Sequence, residues 1–365
     1  MIERGPGVPK RDLGKDPETP RSKSTSPRPG AANIVDVAHR AGVSVATVSR
    51  VMNRPELVSP ATRERVEKAM AELDYHVNRA ASGLRGGYFR TVSIVVASLS
   101  QPWYVMLVRA LRVELERHGY ATLLYDLDHD TSSLVRTLES LARQGSEGVI
   151  LSTGDRLDDP VTVDALSRAR TRFPLVVAGQ RVENATWPTV QYDDRTGARE
   201  ATEHLLEVGA EPVAFLGGLS CSYLGAERFA GYADALLAKG RDPQEWLWPL
   251  DGLGFAAGYA AVQEQVAAAR IPGGILAVND EVALGASRAL ADHELRVPDD
   301  VSIVGFGDTD FLPYVSPSLS SVHGSVERIA ESACGAIWDM FAGREPAEIE
   351  IVRRHLVRRE SSRKG

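Results

Sequence analysis

The chain has 365 residues, of which 43% are hydrophobic and 25% are charged, and its formal net charge is −7 at neutral pH. That length allows two or three domains, and that composition is typical of a globular protein. No apolar run approaches the roughly 18 residues that a membrane span needs, which excludes a transmembrane protein. Two cysteines are too few for a disulfide scaffold, and the N-terminus lacks the apolar core of a secretory signal. We therefore expect a cytoplasmic protein.

The charge is unevenly distributed along the chain. Residues 1–89 hold 15 Lys and Arg against 10 Asp and Glu, whereas the remainder holds 27 against 39. A basic front on an acidic body favours binding of a polyanion by the front. Only six of the 42 basic residues are lysine, so the arginine content also fits coding bias, and charge alone supports nucleic-acid binding only modestly.

The first 31 residues are rich in Pro, Gly, Ser and Thr and contain no aromatic residue. Such a segment cannot bury enough apolar surface to offset the entropy of ordering it. We predict a disordered tail over residues 1–31.

Residues 32–75 show the spacing of three short helices. Apolar residues recur at helical spacing over 34–41, and Gly42 ends that helix. Ser44 is a suitable N-cap for a second helix, and Ser59-Pro60 begins a third. Short helices with a tight turn between the first two form a helix-turn-helix pattern, typical of a DNA-binding head.

From residue 91 onward, short apolar strands alternate with amphipathic helices. Strands are predicted at 92–97, 121–126, 148–152, 175–178, 213–216, 274–278, 301–304 and, last, 348–356. Helices are predicted, among others, at 105–117, 195–207, 228–238 and 280–292. This alternation predicts an α/β body with parallel sheets covered on both faces. The segment is too long for one such sheet, so we expect two lobes with a ligand crevice at the carboxyl ends of the strands.

The run from Asn33 to Asn53, NIVDVAHRAGVSVATVSRVMN, closely resembles the DNA-binding head of the LacI/GalR family of bacterial transcriptional regulators. The continuation 58–75 is similar too, and the segments 228–232, 279–285 and 297–306 resemble the body of that family. The resemblance spans about residues 32–360. It implies an all-α helix-turn-helix head at 32–75 and a two-lobed body at 90–360 that is similar to periplasmic binding proteins.

The family resemblance also implies how the body divides and what the protein does. One lobe would contain residues 90–192 and 322–344, and the other 193–321 and 345–360. The expected function is that of a sequence-specific DNA-binding regulator, a repressor, controlled allosterically by a small-molecule effector that binds between the lobes.

The second helix of the head is expected to enter the major groove with its first turn toward the bases. Val45 and Ala46 lie in that turn, and the resemblance makes them the pair that contacts thymine methyl groups and sets specificity. Arg50, one turn later, is the expected guanine or phosphate reader, whereas Val48 is expected in the core. Further donors to phosphates and base edges are expected at Ser44, Thr47, Ser49 and Asn53.

Residues 76–89 are predicted to form a hinge, because three glycines weaken any helix there. In the family that the chain resembles, this segment folds on operator DNA, and paired hinge helices wedge a leucine into the minor groove. Leu84 matches that wedge, with Asn78 and Ala81 beside it. Val77 stands where the family usually has a proline, so folding of this hinge is expected to depend more on DNA and dimer contacts. The alternative is that Leu84 packs on the body.

By the same resemblance, Arg228 would clamp ligand hydroxyls or a carboxylate, since a guanidinium fork suits either. Asn279 would supply an amide to the effector pocket. Asp280 beside it is expected to cap the following helix instead of contacting the ligand.

Three aromatic residues are also expected at the effector cleft. Tyr192 matches an aromatic that stacks on the ligand, and Trp103 and Tyr104 stand where the family often has paired phenylalanines. An aromatic face suits the apolar side of a sugar ring or a nucleobase. The alternative for all three is ordinary core packing.

Several positions depart from the sugar-binding pattern of the family. Ser98 and Gly307 stand where aspartates are common, with Asp308 one residue further on, and Gly179 and Gly324 replace polar residues. Ser98 and Asp308 are kept as expected effector contacts. Fewer carboxylates mean fewer acceptors for hydroxyls. A sugar or related metabolite remains the expected effector, while a nucleoside, an anion, or a degenerate pocket with no effector stay open.

The sequence carries no recognisable enzyme motif. A Walker loop, G-x-G-x-x-G, H-E-x-x-H and G-x-S-x-G are all absent. An enzyme with a DNA-binding appendage is therefore a weaker alternative. A transport-type binding protein is also weaker, because the sequence shows a helix-turn-helix head and no export signal. We expect no enzymatic activity, no cofactor and no metal.

The expected partners follow from the way such heads bind DNA. One head makes too few base contacts for tight specific binding, so we expect a homodimer on pseudo-palindromic operator DNA. The dimer surface is expected on the body, with helices 102–118 and 134–144 as candidates. A small-molecule effector is the third partner, and no membrane is expected. The sequence leaves open the effector's identity, the target genes and whether the effector induces or co-represses.

Overall fold

The computed structural model describes residues 32–53, 57–73, 75, 90–182, 185, 187–217 and 222–362. The predicted tail at 1–31 and the predicted hinge at 76–89, which includes Asn78, Ala81 and Leu84, lie outside the described residues. The chain divides into two units, Met1–Ser82 and Gly83–Gly365, called here the head and the body. No helix within the described ranges combines the length and apolar character that crossing a bilayer requires.

The described part of the head contains three helices, whose ends are set by local signals. They are α1 (Ile34–Ala41), α2 (Val45–Asn53) and α3 (Pro60–Glu72). The Asn33 side chain accepts hydrogen bonds from the backbone N–H groups of Val35 and Asp36, at 2.8 and 3.3 Å. The Asp36 carboxylate in turn accepts from the Asn33 N–H at 2.8 Å, which completes a capping box. Gly42 ends α1 in the left-handed conformation, with φ of +64°.

The core of the head is small and made largely of valine and alanine. Val37, Val48 and Val66, one from each helix, are fully buried. The expectation that Val48 belongs to the core is therefore confirmed. Because α2 turns Val48 inward, the opposite face of the helix is left exposed, and this is the face on which the expected DNA contacts lie.

The body contains two six-stranded sheets within the described residues. Its strands are β1 (Thr91–Val96), β2 (Ala121–Asp126), β3 (Gly148–Ser152), β4 (Leu175–Ala178), β5 (Thr189–Tyr192), β6 (Val213–Leu216), β7 (Leu247–Trp248), β8 (Gly274–Ala277), β9 (Ser302–Gly307), β10 (Ser320–His323), β11 (Ile349–Val352) and β12 (His355–Val357). Its helices are α4 (Pro102–Arg117), α5 (Thr131–Leu141), α6 (Pro160–Arg170), α7 (Asp194–Glu207), α8 (Tyr223–Leu237), α9 (Phe255–Ala267), α10 (Asp280–Asp292) and α11 (Val326–Phe341). Single 3-10 turns lie at Ala142–Gln144, Leu312–Tyr314 and Glu360–Ser362.

Both sheets have the topology expected of an α/β body. The first sheet has the order β11-β5-β4-β3-β1-β2 and is parallel throughout. The second has the order β12-β10-β9-β8-β6-β7, and within it only β12 is antiparallel to its neighbour. Every residue of β1, β3, β4, β6, β8 and β9 is buried, because helices cover both faces of each sheet.

The expected division of the body into lobes is wrong at its C-terminal end. Ile349–Val352 pairs with β5 in the first sheet, although residues 345–360 were expected in the second lobe. Val322 and His323 belong to the second sheet, although residues from 322 were expected in the first. The single strand expected at 348–356 is two strands that join different sheets. An apolar run predicts a strand but carries no information on which sheet edge it joins, so the sequence could not place this crossing.

Three connections link the lobes within the described residues. They follow β5 at residue 193, β10 at residues 324–325 and β11 at residues 353–354. All three lie beside the carboxyl ends of the strands that they leave, where ligands bind in open parallel sheets. The cleft between the lobes is therefore the expected place for an effector.

Candidate DNA-binding face and effector cleft

The exposed face of α2 presents most of the expected DNA-reading side chains together. Ser44, Val45, Ala46 and Arg50 are exposed, and Thr47 is half-buried. The Ser44 hydroxyl accepts from the backbone N–H of Thr47 at 3.1 Å, so Ser44 caps the helix as its sequence position predicts. The small apolar pair therefore stands at an exposed helix N-terminus, with a guanidinium one turn away.

The remaining expected DNA contacts are placed less completely. Ser49 is half-buried on α2. Asn53 is the last residue of α2, and its side chain lies outside the described part of the chain, as do Asn78, Ala81 and Leu84. The reading face is thus defined by the first two turns of α2.

The two lobes enclose a cavity, part of which is open to solvent. It lies at the carboxyl ends of strands from both sheets. Five of the seven expected effector residues line it, namely Trp103, Tyr104, Tyr192, Arg228 and Asn279. The structure does not bring Ser98 or Asp308 to the cavity wall.

The expected aromatic residues form one wall of the cavity. The Trp103 ring meets the Tyr104 ring edge-to-face at 5.1 Å between centroids, and the Tyr192 ring at 6.0 Å. The Tyr104 hydroxyl accepts from the backbone N–H of Gly154 at 2.9 Å, and the Tyr192 hydroxyl donates to the Ser325 carbonyl at 2.9 Å. Burial raises the pKa of both tyrosine hydroxyls, which stay protonated. Their hydrogen bonds fix both rings in the cavity wall.

Arg228 lies at the cavity wall but is already held by the protein. Its Nε donates to Asp194 Oδ1 at 2.8 Å and its Nη1 to the Val278 carbonyl at 2.5 Å. Its guanidinium lies 4.1 Å from the centroid of the Phe306 ring. The arginine is thus oriented in advance, and much of its donor capacity is used within the protein.

Asn279, and not Asp280, is the N-cap of α10, although both residues line the cavity. Asn279 Oδ1 accepts from the backbone N–H of Val282 at 2.8 Å, so Asn279 is the N-cap of α10, and its Nδ2 donates to the Leu253 carbonyl at 2.7 Å. Asp280 accepts from the Ser321 hydroxyl at 2.6 Å and from the Thr309 N–H at 2.9 Å. The expected pocket amide therefore has both polar atoms engaged, and the expected cap is wrong.

Ser98 and Asp308 were predicted to contact the effector, and the structure corrects this prediction. Ser98 is 1% exposed, and its hydroxyl lies 2.8 Å from that of Ser100. Asp308 lies 3.0 Å from His323 Nδ1 and 2.7 Å from Arg359, so its carboxylate pairs with side chains of β10 and of the C-terminal segment. Both side chains interact with neighbouring residues instead of the cavity, and the sequence did not reveal those neighbours.

Gly307, the residue before Asp308, keeps the cavity wall clear of a side chain. Its φ of +131° lies in the region that favours glycine. A Cβ there would lie 3.1 Å from Asp280 Oδ2 and 3.6 Å from Trp103 Cδ1. The indole therefore stands against the place where the family commonly has an aspartate.

A second contact, called here the clasp, joins the lobes beside the cavity. Asp155 forms an isolated antiparallel bridge with Ser222, and the Tyr223 N–H donates to the Gly154 carbonyl at 2.9 Å. His129 Nδ1 lies 2.9 Å from Asp155 Oδ1, and this hydrogen bond raises the pKa of His129. The clasp holds the lobes together independently of the three chain connections.

The comparisons with known proteins agree with this architecture. Residues 33–78 match the bacterial regulatory proteins of the lacI family, and residues 202–362 match the periplasmic binding protein-like domain. The chain is 33% identical over 340 residues to the HTH-type transcriptional regulator CelR of Thermobifida fusca, a match that covers 89% of this chain and 96% of that protein. The chain belongs to the LacI family of bacterial transcriptional regulators.

Other members of the LacI family are similar over comparable lengths. The HTH-type transcriptional repressor CytR of Escherichia coli (strain K12) is 30% identical over 315 residues, covering 86% of this chain and 91% of that protein. A crystal structure of the lac repressor dimer bound to operator and the anti-inducer ONPF superposes with a TM-score of 0.81 at 26% identity, over 91% and 99% of the two chains. The structure of the transcriptional regulator CelR–cellobiose complex superposes with a TM-score of 0.67 at 31% identity, over 90% and 99%. The predicted family and fold class are confirmed, and these relatives are regulators rather than enzymes.

Two cavity residues of this LacI-family chain were missed by sequence reasoning. Arg354, at the third connection, is 6% exposed; its guanidinium lies 3.8 Å from the Tyr192 ring centroid, and its Nε lies 3.3 Å from Asp194 Oδ1. Burial lowers the pKa of Arg354. A Cβ at Gly324 would lie 2.6 Å from Arg354 Nη1, so that glycine makes room for the arginine. Arg354 falls within one of two arginine pairs near the C-terminus, so no sequence signal distinguished it.

Glu281 is the other missed residue. It is 3% exposed, lines the cavity, and has no hydrogen-bond partner for Oε1 among the described residues. Burial raises the pKa of Glu281 to about 7, with Asp280 adding to the effect and Arg228 opposing it. On a helix whose spacing predicts burial of every third or fourth residue, this position was interpreted only as part of an amphipathic pattern.

Proposed function

We propose that this chain is a cytoplasmic, homodimeric repressor that binds pseudo-palindromic operator DNA. A sugar-like effector controls whether the repressor leaves that DNA or stays bound to it. The head supplies the reading face of α2, on which Val45 and Ala46 contact thymine methyl groups and Arg50 contacts guanine or phosphate. Ser44, Thr47, Ser49 and Asn53 supply phosphate and base-edge contacts, and Asn78, Ala81 and Leu84 the minor-groove contacts. Support for the dimer comes from the lac repressor relative, which is a dimer on its operator.

The observation that carries the effector part of the proposal is the cavity wall itself. Trp103, Tyr104 and Tyr192 place aromatic rings in contact with one another in the same wall as the oriented guanidinium of Arg228. Sugar rings bind well to such a combination, because their C–H faces pack on aromatic rings while their hydroxyls hydrogen-bond to polar groups. The related CelR structure is a complex with cellobiose, which supports a sugar as the effector class here.

Control of DNA binding follows from the position of the cavity between the lobes. A ligand that contacts both lobes favours the lobe arrangement in which those contacts are made. Operator affinity then changes by the difference in the ligand's affinity for the two arrangements. The same reasoning requires no chemical turnover, so we propose that the protein is not an enzyme and uses no cofactor.

The DNA-binding part is tested by replacing Arg50 with alanine. We expect about 10- to 100-fold weaker binding to the operator in a gel shift, because one base or phosphate contact is lost in each half-site. The matched control is Arg288→Ala, which removes an exposed arginine of α10 in the body. Equal operator affinity of the Arg50 and Arg288 variants would refute the assigned role of α2.

A further inference from the structure

The cavity is bordered by buried polar atoms of both hydrogen-bonding types that have no partner among the described residues. The acceptor is Glu281 Oε1, and the donors are Trp103 Nε1–H and Arg354 Nη1–H. All three residues line the cavity. Buried polar atoms of this kind are uncommon because each costs free energy unless it is satisfied, and a bound ligand can satisfy them.

Glu281 is the only one of the three that carries a carboxyl group. It stands in the first turn of α10, where the helix dipole favours a negative charge. The groups that face it are Asp280 on its own helix, Arg228 of α8 and Tyr104 of α4, which belongs to the other lobe. Arg228 does not hydrogen-bond to Oε1, and its Nε and Nη1 donate instead to Asp194 and to the Val278 carbonyl.

We propose that Glu281 determines effector specificity by accepting a hydrogen bond from a hydroxyl of a neutral, polyhydroxylated ligand, and that it discriminates against acidic analogues of the same ring. This inference rests on the proposed function, since it assigns a residue and a ligand class to the same cavity. A hydroxyl both donates and accepts. Neighbouring hydroxyls of one ligand therefore satisfy Glu281 together with Trp103 and Arg354.

An anion satisfies only half of this arrangement. A carboxylate or phosphate has acceptor oxygens for Trp103 and Arg354, but it offers no donor to Glu281 when both are ionised. It also meets the like charges of Glu281 and Asp280 in a poorly solvated site, where repulsion is stronger than in water. Asp194 lies within 3.3 Å of both cavity arginines and balances one of their two charges, and the charges of Asp280 and ionised Glu281 together exceed the other.

Ligand binding at Glu281 is coupled to its protonation. Burial holds the pKa of Glu281 near 7, so about half of the carboxyl groups are protonated at neutral pH without ligand. A hydroxyl donor favours the ionised form, because hydrogen bonds to a charged acceptor are stronger. Affinity is therefore expected to rise between about pH 6 and about pH 8. The Asp155 hydrogen bond in the clasp also raises the pKa of His129, so the coupling is measured as the difference between the wild type and a Glu281 variant.

The experiment uses the full chain and matched pairs of probes in isothermal titration calorimetry. The pairs are cellobiose with cellobiouronic acid, glucose with glucuronic acid, and glucose with glucose 6-phosphate, and each pair keeps the same rings. We expect the neutral member of at least one pair to bind at least about tenfold more tightly than its acidic partner. Glu281→Gln is expected to weaken that neutral probe about tenfold and to remove most of the pH dependence. Glu264→Gln, an exposed glutamate of α9, is the control and is expected to leave both unchanged.

Each other outcome overturns a distinct statement. If a neutral probe binds equally well to the wild type and to Glu281→Gln, the role of Glu281 is wrong while the effector function stands. If the acidic member of a pair binds more tightly, the ligand class is wrong. If no member of any pair binds or changes operator affinity, the sugar effector and this inference fall together. Unchanged operator binding by the ligand-free variant shows that it is folded, and the ratio of neutral to acidic affinity does not depend on the active fraction.

Discussion

The DNA-reading face and the effector cavity differ in how their side chains are held. On α2 the expected reading residues come from one short segment, and Val45, Ala46 and Arg50 are exposed. In the cavity, polar groups from segments far apart in the chain are buried, and most already hydrogen-bond to one another. A change on the reading face should therefore alter binding with little effect on folding, whereas a change in the cavity should alter both.

The largest effect is expected for Asp194, which lies within 2.8 Å of Arg228 and 3.3 Å of Arg354. Asp194→Asn leaves two buried guanidinium groups without their shared carboxylate. We expect a loss of about 3–5 kcal/mol in the free energy of unfolding of the body. Urea unfolding followed by tryptophan fluorescence measures it, because all five tryptophans lie in the body.

Arg354→Met is the variant to compare with Asp194→Asn. It removes one of the two cations, keeps the Arg228–Asp194 pair and replaces a buried charge with a side chain of similar length. Because well-packed apolar replacements of buried ions are often tolerated, we expect a change within about 1 kcal/mol. Similar losses for the two variants would show that packing of the arginine on Tyr192 and Phe306, rather than charge balance, holds this part of the cavity together.

The second effect depends on pH and concerns Glu281. Its folded pKa near 7 lies above the usual value of 4.5, so the folded state binds more protons and its stability falls as pH rises between these values. Glu281→Gln does not titrate. Its advantage in unfolding free energy over the wild type is expected to grow by about 2–3 kcal/mol between about pH 5 and about pH 8. A constant difference across that range would mean that the Glu281 carboxyl is solvated or paired.

In the head, a buried and an exposed valine of the same helix can be compared. Val48 is fully buried and Val45 is 38% exposed, although they stand one turn apart on α2. Val48→Ala is expected to lower the stability of the head by about 2 kcal/mol through the cavity it leaves. Val45→Ala is expected to cost less than about 0.5 kcal/mol while weakening operator binding. Hydrogen exchange followed by mass spectrometry separates the peptides of the head from those of the body, and equal protection in the two variants would contradict the assigned faces.

Sequence reasoning succeeded where structure is set locally and failed where it is set by distant contacts. The spacing of apolar residues predicted the bounds of β2, β3, β4 and β6 as the structure has them, since each is a short apolar run between clear turn signals. It did not predict that residues 349–352 and 355–357 join different sheets, because the choice of sheet edge depends on neighbours more than 30 residues away.

The same contrast applies to the candidate site. The reading residues of α2 were assigned from the resemblance to the family, and they lie together because they come from one short helix. In the cavity, the family pattern named Trp103, Tyr192 and Arg228, yet it missed Arg354 and Glu281. Their roles depend on room left by Gly324 and on the commitment of Arg228 to Asp194, and neither is visible in the sequence.

The smallest effect concerns the two ends at which helices of the head begin. Asn33 accepts two backbone hydrogen bonds at the start of α1. Ser59 stands at the same position before α3, yet its side chain makes no cap hydrogen bond and instead lies 2.9 Å from the Thr62 hydroxyl. Asn and Ser are both residue types that favour the N-cap position, so the pair isolates the contribution of the hydrogen bonds themselves.

Asn33→Ala is expected to destabilise the first turn of α1 by about 1 kcal/mol, because two backbone N–H groups lose their acceptor. Faster amide exchange at Val35 and Asp36 would report it directly. Ser59→Ala is expected to cost only a few tenths of a kcal/mol, because the exposed hydroxyl pair that it breaks is easily replaced by water. If both variants lose the same protection, residue type at the N-cap, and not the observed hydrogen bonding, sets the stability of these helix starts. Asn33→Ala should weaken operator binding more than Ser59→Ala does, because α1 packs on α2 and supports its reading face.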